Sequence, residues 1–170
     1  MKRLIALALL LVSQSFAAET LHIFTWADYI SPDLVKRFEK EQNCKVMIDT
    51  FDSNEAMYAK LKAGATGYDL IFPSSYIIPL MVQQDMLQPL DQAKLPNLKN
   101  VQSEVLEKVA DSKMKHSAPY TFGYAVVAYR KDKLKNIEPT WKTFERTDFK
   151  KRVTLLNDMR ETIGAALKSL

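Results

Sequence analysis

Residues 21–72 read LHIFTWADYISPDLVKRFEKEQNCKVMIDTFDSNEAMYAKLKAGATGYDLIF. In this segment, short apolar or alternating runs that predict strands are separated by amphipathic runs that predict helices. The predicted strands are Leu21–Thr25, Cys44–Phe51 and Tyr68–Phe72. Strands that alternate with helices in this way indicate an α/β fold with a parallel, doubly wound sheet and right-handed crossovers.

Local signals mark the ends of the helices between these strands. Ser31 is a good N-cap, Pro32 occupies the first helical position, and Asn43 suits the end of the first helix. Either Asp52 or Ser53 caps the second helix. Both helices therefore begin within a few residues of the preceding strand, as short βα loops require.

The remainder of the chain carries weaker patterns. The third strand is short and apolar between Gly67 and Pro73, which suits a strand covered on both faces. After it we expect a helix from Ser74–Ser75 through Met81 and short helices and loops over 91–115. A long strand is expected over 117–129, which either bends near Gly123 or passes between domains. A helix over 141–149, a strand over 153–156 and a final helix from Asp158 follow.

The first 17 residues have the pattern of a cleavable signal peptide. Met1–Arg3 is basic, Leu4–Val12 is aliphatic and uncharged, and small residues at Ser15 and Ala17 suit cleavage before Ala18. The apolar run is too short to span a bilayer, which takes about 20 residues. We therefore expect a soluble protein in the periplasm.

The net charge and the cysteine content bear on nucleic-acid binding and on disulfide formation. Without residues 1–17, Lys and Arg fall from 24 to 22 against 20 acidic residues, so the net charge is +2. A balance this close to neutral gives no argument for nucleic-acid binding. The single cysteine, Cys44, excludes an intramolecular disulfide and is expected to be a buried small hydrophobe.

Polar and aromatic residues collect at three predicted strand-to-helix turns, WADY at 26–29, SSY at 74–76 and NDMRE at 157–161. Ligands of open α/β sheets bind beyond the carboxyl ends of the strands, so these turns face one rim or lie across a cleft between two lobes. Two aromatic residues and three carboxylates suit an elongated organic cation, with rings against its methylenes and carboxylates at its charged ends.

Each turn also has a purely structural explanation. Trp26 and Tyr29 are equally explained as rim aromatics that cover helix starts, and the serines of the second turn as N-caps. Asp158 and Glu161 have the Asp-x-x-Glu spacing of a capping box. On spacing alone, capping is favoured over binding for this last pair.

The sequence contains no visible catalytic set. It has no Gly-x-Ser-x-Gly elbow, no His-Glu-x-x-His or Cys-x-x-Cys metal motif and no glycine-rich phosphate loop. We therefore expect a binding protein that is not an enzyme and that needs neither a metal nor a cofactor.

Four stretches carry a family resemblance: FTWADYI at 24–30, FDSNEAMYAKL at 51–61, YDLIFPSSY at 68–76 and DMRE at 158–161. They closely resemble the spermidine/putrescine-binding periplasmic proteins of polyamine ABC transporters. The resemblance implies a two-lobed periplasmic-binding-protein fold of type 2 that closes on a polyamine and presents its closed form to an ABC permease in the inner membrane. We also expect a monomer.

The resemblance implies a role for each of seven residues: aromatic contacts to the polyamine chain from Trp26 and Tyr29, an amine-facing carboxylate at Asp28, rim hydrogen bonds from Ser74 and Tyr76, and carboxylates on the opposite wall at Asp158 and Glu161. One departure is Ala27, which stands where the family usually has a hydroxyl residue. We expect this difference to remove one polar contact to the ligand.

The resemblance divides the chain into a signal peptide at 1–17, a first α/β lobe at 18–123, and a hinge strand with the start of a second lobe at 124–170. Because family members are about twice as long, we expect exposed apolar surface on the last strand and helix, and weak polyamine binding by these residues alone. The alternatives are a binding protein for another solute, such as an opine, a cationic amino-acid derivative or a chelated metal, and a ligand-sensing accessory protein.

Overall fold

A three-stranded parallel sheet forms the centre of the fold. The computed structural model describes residues 19–138 and 140–169, so the expected signal peptide lies outside the described residues. Strands β1 (Thr20–Trp26), β2 (Lys45–Phe51) and β3 (Leu70–Ile71) are arranged in the order β2-β1-β3. Parallel pairing along both sides of β1 confirms the sheet type that alternating strands and helices predict.

The register of this sheet aligns the turns that follow its strands. Trp26 at the end of β1 lies opposite Phe51 at the end of β2, and Phe24 lies opposite Ile71 on β3. The carboxyl ends of the strands therefore meet at one edge of the sheet, where a ligand crevice is expected in an α/β protein.

Helices α1 (Pro32–Gln42) and α2 (Asn54–Lys62) connect these strands. The chain leaves α1 through Asn43, which adopts the left-handed conformation at φ 50° and so ends the helix where the sequence indicates. The Ser53 hydroxyl accepts a hydrogen bond from the Ala56 N–H at 3.2 Å. This bond identifies Ser53, of the two candidates, as the cap of α2.

Short helices dominate the rest of the chain. They are a 3₁₀ helix at Ser75–Ile77, α3 (Ile78–Gln83), 3₁₀ helices at Gln92–Lys94 and Pro96–Asn100, α4 (Ser103–Leu106), 3₁₀ helices at Trp141–Glu145 and Thr147–Phe149, and α5 (Met159–Ser169). No helix among the described residues is long and apolar enough to cross a membrane.

The hydrophobic core lies against the carboxyl half of the sheet. Its buried residues are Phe24, Phe51, Met57, Ile77 and Met81. The rings of Phe24 and Phe51 meet edge to face with centroids 4.9 Å apart, a geometry that aromatic pairs favour. Since α2 contributes Met57 and α3 contributes Met81, the core holds both helices, and the turns before them, in fixed positions on the sheet.

The turn over 111–117 is organised by one carboxylate. Asp111 accepts hydrogen bonds from the backbone N–H groups of His116 at 2.7 Å, Ser117 at 3.0 Å and Lys115 at 3.1 Å. Burial alone would raise the pKa of Asp111, but these N–H groups outweigh it and hold the pKa below its usual value. The ionised side chain therefore holds the turn over 111–117 together.

Several expectations from the sequence are wrong. No strand is present over 117–129 or 153–156, and residues 141–149 form two 3₁₀ turns in place of one helix. An apolar, β-branched run becomes a strand only when a neighbouring strand accepts its hydrogen bonds, and these two runs pair with none of the three described strands.

Two local burial expectations are also wrong. Leu70 on β3 is 45% exposed, so β3 is not covered on both faces among the described residues. Cys44 is half-buried and precedes β2. In contrast, the expected apolar surface near the end of the chain is present: Leu155, Leu156, Met159, Ile163 and Leu167 are all exposed.

Candidate functional site

The candidate site is built on the turns that follow β1 and β3 and on the turn that precedes α5. Because β1 and β3 are neighbours, the first two turns lie side by side at the carboxyl edge of the sheet. The third turn approaches them through contacts with Tyr76, described below.

Trp26 ties the first turn to the second. Its indole Nε1–H donates a hydrogen bond to the Phe72 carbonyl oxygen at 2.8 Å, and its ring lies 4.6 Å from that of Phe51 at an angle of 61°. The side chain is half-buried, so it supports the rim and still presents a surface to it. The ring of Tyr29 lies 6.2 Å from the Trp26 ring and is more exposed.

Asp28 lies between these aromatic residues in the left-handed region at φ 59°, a conformation that aspartate tolerates better than most residues. It is exposed and borders an open hollow of about 400 Å³. The hollow is lined by Asp28, Tyr29, Tyr120, Thr121, Phe122 and Gly123. A carboxylate that borders the same hollow as aromatic rings suits an organic cation, which gains from both charge and ring faces.

One hydrogen bond and one ring contact tie Tyr120, which lines this hollow, to the first turn and to the end of β3. The Tyr120 hydroxyl donates to the Tyr29 carbonyl oxygen at 3.0 Å, and the Tyr120 ring packs edge to face on Phe72 at 5.0 Å. Phe72 is also the residue that accepts the Trp26 hydrogen bond. The end of β3 therefore connects the two turns.

The second turn is held from beneath by a buried amide. Asn54 is fully buried; its Oδ1 accepts the Ser74 N–H at 2.8 Å and its Nδ2 donates to the Ser74 hydroxyl at 3.0 Å. Ser74 forms no side-chain cap on the following 3₁₀ helix, while the Ser75 hydroxyl accepts the Ala110 N–H at 2.7 Å. Neither serine is thus explained as a side-chain N-cap.

Tyr76 lies close to the carboxylates of Glu55 and Asp158. Its hydroxyl donates to Glu55 Oε1 at 3.2 Å. Burial raises the pKa of Tyr76 above its usual value, and the carboxylates of Glu55 and Asp158 raise it further. The hydroxyl therefore stays protonated as a donor, and the guanidinium of Arg160 lies 4.2 Å from the ring centroid.

The third turn begins α5. Asp158 Oδ1 accepts the Glu161 N–H at 2.9 Å, so Asp158 does cap the helix as its spacing predicts. Asp158 is half-buried and close enough to Tyr76 to influence its ionisation. Glu161 lies in the first turn of α5 and is exposed.

The seven residues singled out in the sequence therefore fall into two groups. Asp28 and Tyr29 border the hollow, and the Trp26 ring lies next to that of Tyr29. Ser74, Tyr76 and Asp158 lie around the second turn, with Glu161 in the first turn of α5. Trp26 links the groups through Phe72.

Sequence reasoning missed four residues that organise these groups: Asn54, Glu55, Tyr120 and Arg160. A signal existed for the first two. They open α2 directly after β2 and its cap, and the first turn of a helix that follows a parallel strand lies at the same edge of the sheet as the ligand crevice.

Within residues 19–138 and 140–169, no cluster of three or more His, Cys, Asp or Glu side chains is arranged to hold a metal ion. The carboxylates of the site belong to two separate groups, Asp28 at the hollow and Asp158 with Glu55 near Tyr76. This arrangement matches an extended ligand better than a point charge.

The amino-acid sequence is similar to a described protein family and to named bacterial proteins. Residues 33–169 match the family model described as bacterial extracellular solute-binding protein. The chain is 38% identical to a putrescine/cadaverine-binding protein of Pseudomonas aeruginosa over 100% of this chain and 51% of the relative. It is 45% identical to the putrescine-binding periplasmic protein PotF of Escherichia coli over 79% of this chain and 38% of the relative.

The fold is also similar to that of a solved structure. The TpPotD lipoprotein of Treponema pallidum superimposes with a TM-score of 0.81 and 38% identity, covering 88% of this chain and 47% of that protein. The expected α/β fold class is thereby confirmed. The chain spans about half the length, or less, of the curated relatives it matches.

Proposed function

Because this chain belongs to the bacterial extracellular solute-binding protein family, we propose that the natural protein binds a short aliphatic polyamine, such as putrescine or spermidine, and delivers it to an ABC permease. Relatives named for binding putrescine and cadaverine support this substrate class. In this proposal the protein is a non-enzymatic monomer of the periplasm, exported by residues 1–17. The name of the Escherichia coli relative supports that location.

The observation that carries the substrate class is the pairing of carboxylates with aromatic rings in both groups of the site. Asp28 lines the same hollow as Tyr29 and Phe122, and Asp158 lies close enough to Tyr76 to raise the pKa of its hydroxyl. A diammonium chain has a charge at each end and apolar methylenes between them, so it can place one ammonium group in each region. Ring faces attract both the ammonium groups and the methylenes next to them.

We assign the roles of the seven residues as follows: Trp26 and Tyr29 pack on the methylenes, Asp28, Asp158 and Glu161 bind ammonium groups, and Ser74 and Tyr76 complete the hydrogen bonding. Ser74 keeps its own O–H free to donate, because its oxygen accepts from Asn54. Tyr76 retains a lone pair for an ammonium donor, since its hydroxyl donates to Glu55.

The proposed mechanism is hinge closure. Residues 18–123 form the first lobe and residues 124–170 begin the second, and the ligand contacts both at once. A ligand shifts such an equilibrium only through contacts that exist in the closed state. Micromolar affinity corresponds to about 8 kcal/mol, so each wall must contribute several kcal/mol. We therefore expect the 170-residue chain to bind polyamines more weakly than a longer chain that supplies more of both walls.

The test is calorimetric titration of the natural gene product with putrescine, cadaverine and spermidine. Trp26→Ala and Asp158→Asn are expected to weaken binding. Asp33→Asn is a matched control, because Asp33 is an exposed carboxylate on α1 paired with Lys36 at 3.7 Å. Saturable binding of another cationic solute, with no heat from any polyamine, would overturn the substrate assignment.

A further inference from the structure

One side-chain contact joins the start of α5 to the turn after β3. The Arg160 guanidinium carbon lies 4.2 Å from the centroid of the Tyr76 ring. Arg160 belongs to 124–170 and Tyr76 to 18–123, so the contact spans the two lobes of the proposed division. The roles assigned above to the seven site residues leave Arg160 without one.

The Tyr76 side of this contact is held in place by the first lobe. The hydroxyl donates to Glu55 on α2, and the next residue, Ile77, is part of the buried core. These contacts fix the ring independently of Arg160, and an ordered platform lowers the entropic cost of a contact.

The Arg160 side is ordered as well. Asp158 caps α5 by accepting the Glu161 N–H, and the Thr162 hydroxyl donates to the Leu156 carbonyl oxygen at 2.9 Å. These bonds hold Arg160 and Glu161 in one helical turn. Any force that docks Arg160 on the first lobe therefore also places the carboxylates of Asp158 and Glu161.

The electrostatic setting favours a cation at this position. The carboxylates of Glu55 and Asp158 both act on Tyr76, so the ring lies in a negative region. A guanidinium above an aromatic ring changes an equilibrium by between about 2-fold and about 30-fold, depending on its exposure.

We propose that Arg160 is a positioning residue: its contact with Tyr76 docks α5 on the first lobe and sets the acidic wall of the cleft, without touching the ligand. This inference rests on the proposed polyamine function. The contact places α5 whether or not a ligand is bound, so its loss lowers the affinity for every polyamine by a similar factor, whatever the length of the ligand.

The opposite reading is that Arg160 competes with the ligand for Tyr76 as a tethered cation. In that case its removal would tighten binding. The two readings therefore differ in sign, and a single substitution separates them.

The main experiment is a double-mutant cycle in the natural gene product, with affinities measured for putrescine, cadaverine and spermidine. Arg160→Gln is expected to weaken all three by a similar factor, between about 2-fold and about 30-fold. In a Tyr76→Leu background, Arg160→Gln is expected to have no further effect. Arg160→Lys, which keeps a cation, is expected to recover part of the loss.

A matched control is Arg146→Gln. Arg146 lies 4.3 Å from the Phe149 ring, a similar contact contained within 124–170, and its loss is expected to leave affinity unchanged. Unchanged or tighter binding by Arg160→Gln, losses that depend on ligand length, or full additivity in the cycle would each overturn the proposal.

A second measurement needs no ligand. In the 170-residue chain, the Arg160 Nε–Hε NMR signal is expected to lie upfield because of the Tyr76 ring current, and to return to the usual position in Tyr76→Leu. An unshifted signal in the wild type contradicts this inference alone. A shifted signal in a protein that binds no polyamine contradicts the proposed function and leaves the contact established.

Discussion

The replacement Asn54→Ala tests how the candidate site is held on the sheet. Asn54 is fully buried, and its side chain makes two hydrogen bonds to Ser74, one to the backbone N–H and one to the hydroxyl. Alanine removes the amide oxygen and nitrogen that form these two bonds, so the Ser74 N–H loses this acceptor. The same change opens a small cavity beneath the turn that carries Tyr76.

The expected loss of stability follows from these contacts. Each net hydrogen bond contributes about 1 kcal/mol, and a buried donor left without a partner costs about 1–3 kcal/mol. The free energy of unfolding is therefore expected to fall by about 2–3 kcal/mol. For a protein of this size, each kcal/mol lowers the melting temperature by about 2–4 °C, so a decrease of about 4–12 °C is expected.

The assay is urea unfolding followed by far-UV circular dichroism, with the slope of the transition held in common. Asn97→Ala is the control, because Asn97 is exposed in the 3₁₀ helix at Pro96–Asn100, and a change within about 0.5 kcal/mol is expected. If Asn54→Ala were no more destabilising than Asn97→Ala, the claim that Asn54 supports the second turn would be refuted.

Three further substitutions test other parts of the structure. Trp26→Phe keeps an aromatic ring but removes the hydrogen bond to the Phe72 carbonyl; a loss of about 1 kcal/mol in urea unfolding is expected, and no loss would contradict the link. The folded-state pKa of Asp111 lies below the usual 3.8, so its stabilisation is present above that pH and is lost as the pH falls through the lowered value. Asp111→Asn should therefore be less stable at pH 7 and show a flatter urea midpoint against pH, and parallel pH profiles would contradict this. Leu156→Asn, at a side chain 68% exposed, should reduce hydrophobic dye binding and change stability by less than about 0.5 kcal/mol, whereas a loss above about 1 kcal/mol would show that Leu156 is packed.

The first part of the fold was predictable because its signals are local. Alternation over Lys45–Phe51, the proline at position 32 and the cap at Ser53 act within one strand or one helical turn. The family resemblance is likewise confirmed, since residues 33–169 match the family model. The predicted division into lobes, and the ligand roles of the seven residues, stay predictions.

The parts that could not be predicted depend on residues distant in the sequence. A run such as 117–129 has strand-like composition, yet without a hydrogen-bonded neighbour it forms no strand. The contact between Arg160 and Tyr76, and the support of Ser74 by Asn54, are tertiary contacts that no periodicity encodes. Capping by Asp158 was predictable because it spans a single helical turn.

The most direct test of the central claim is calorimetric titration of the natural gene product with putrescine and spermidine, beside the 170-residue chain. The proposed function predicts saturable binding of at least one polyamine by the natural product, weakened by Asp158→Asn and unchanged by Asp33→Asn. Absence of binding heat for every polyamine, or equal weakening by both substitutions, would contradict it.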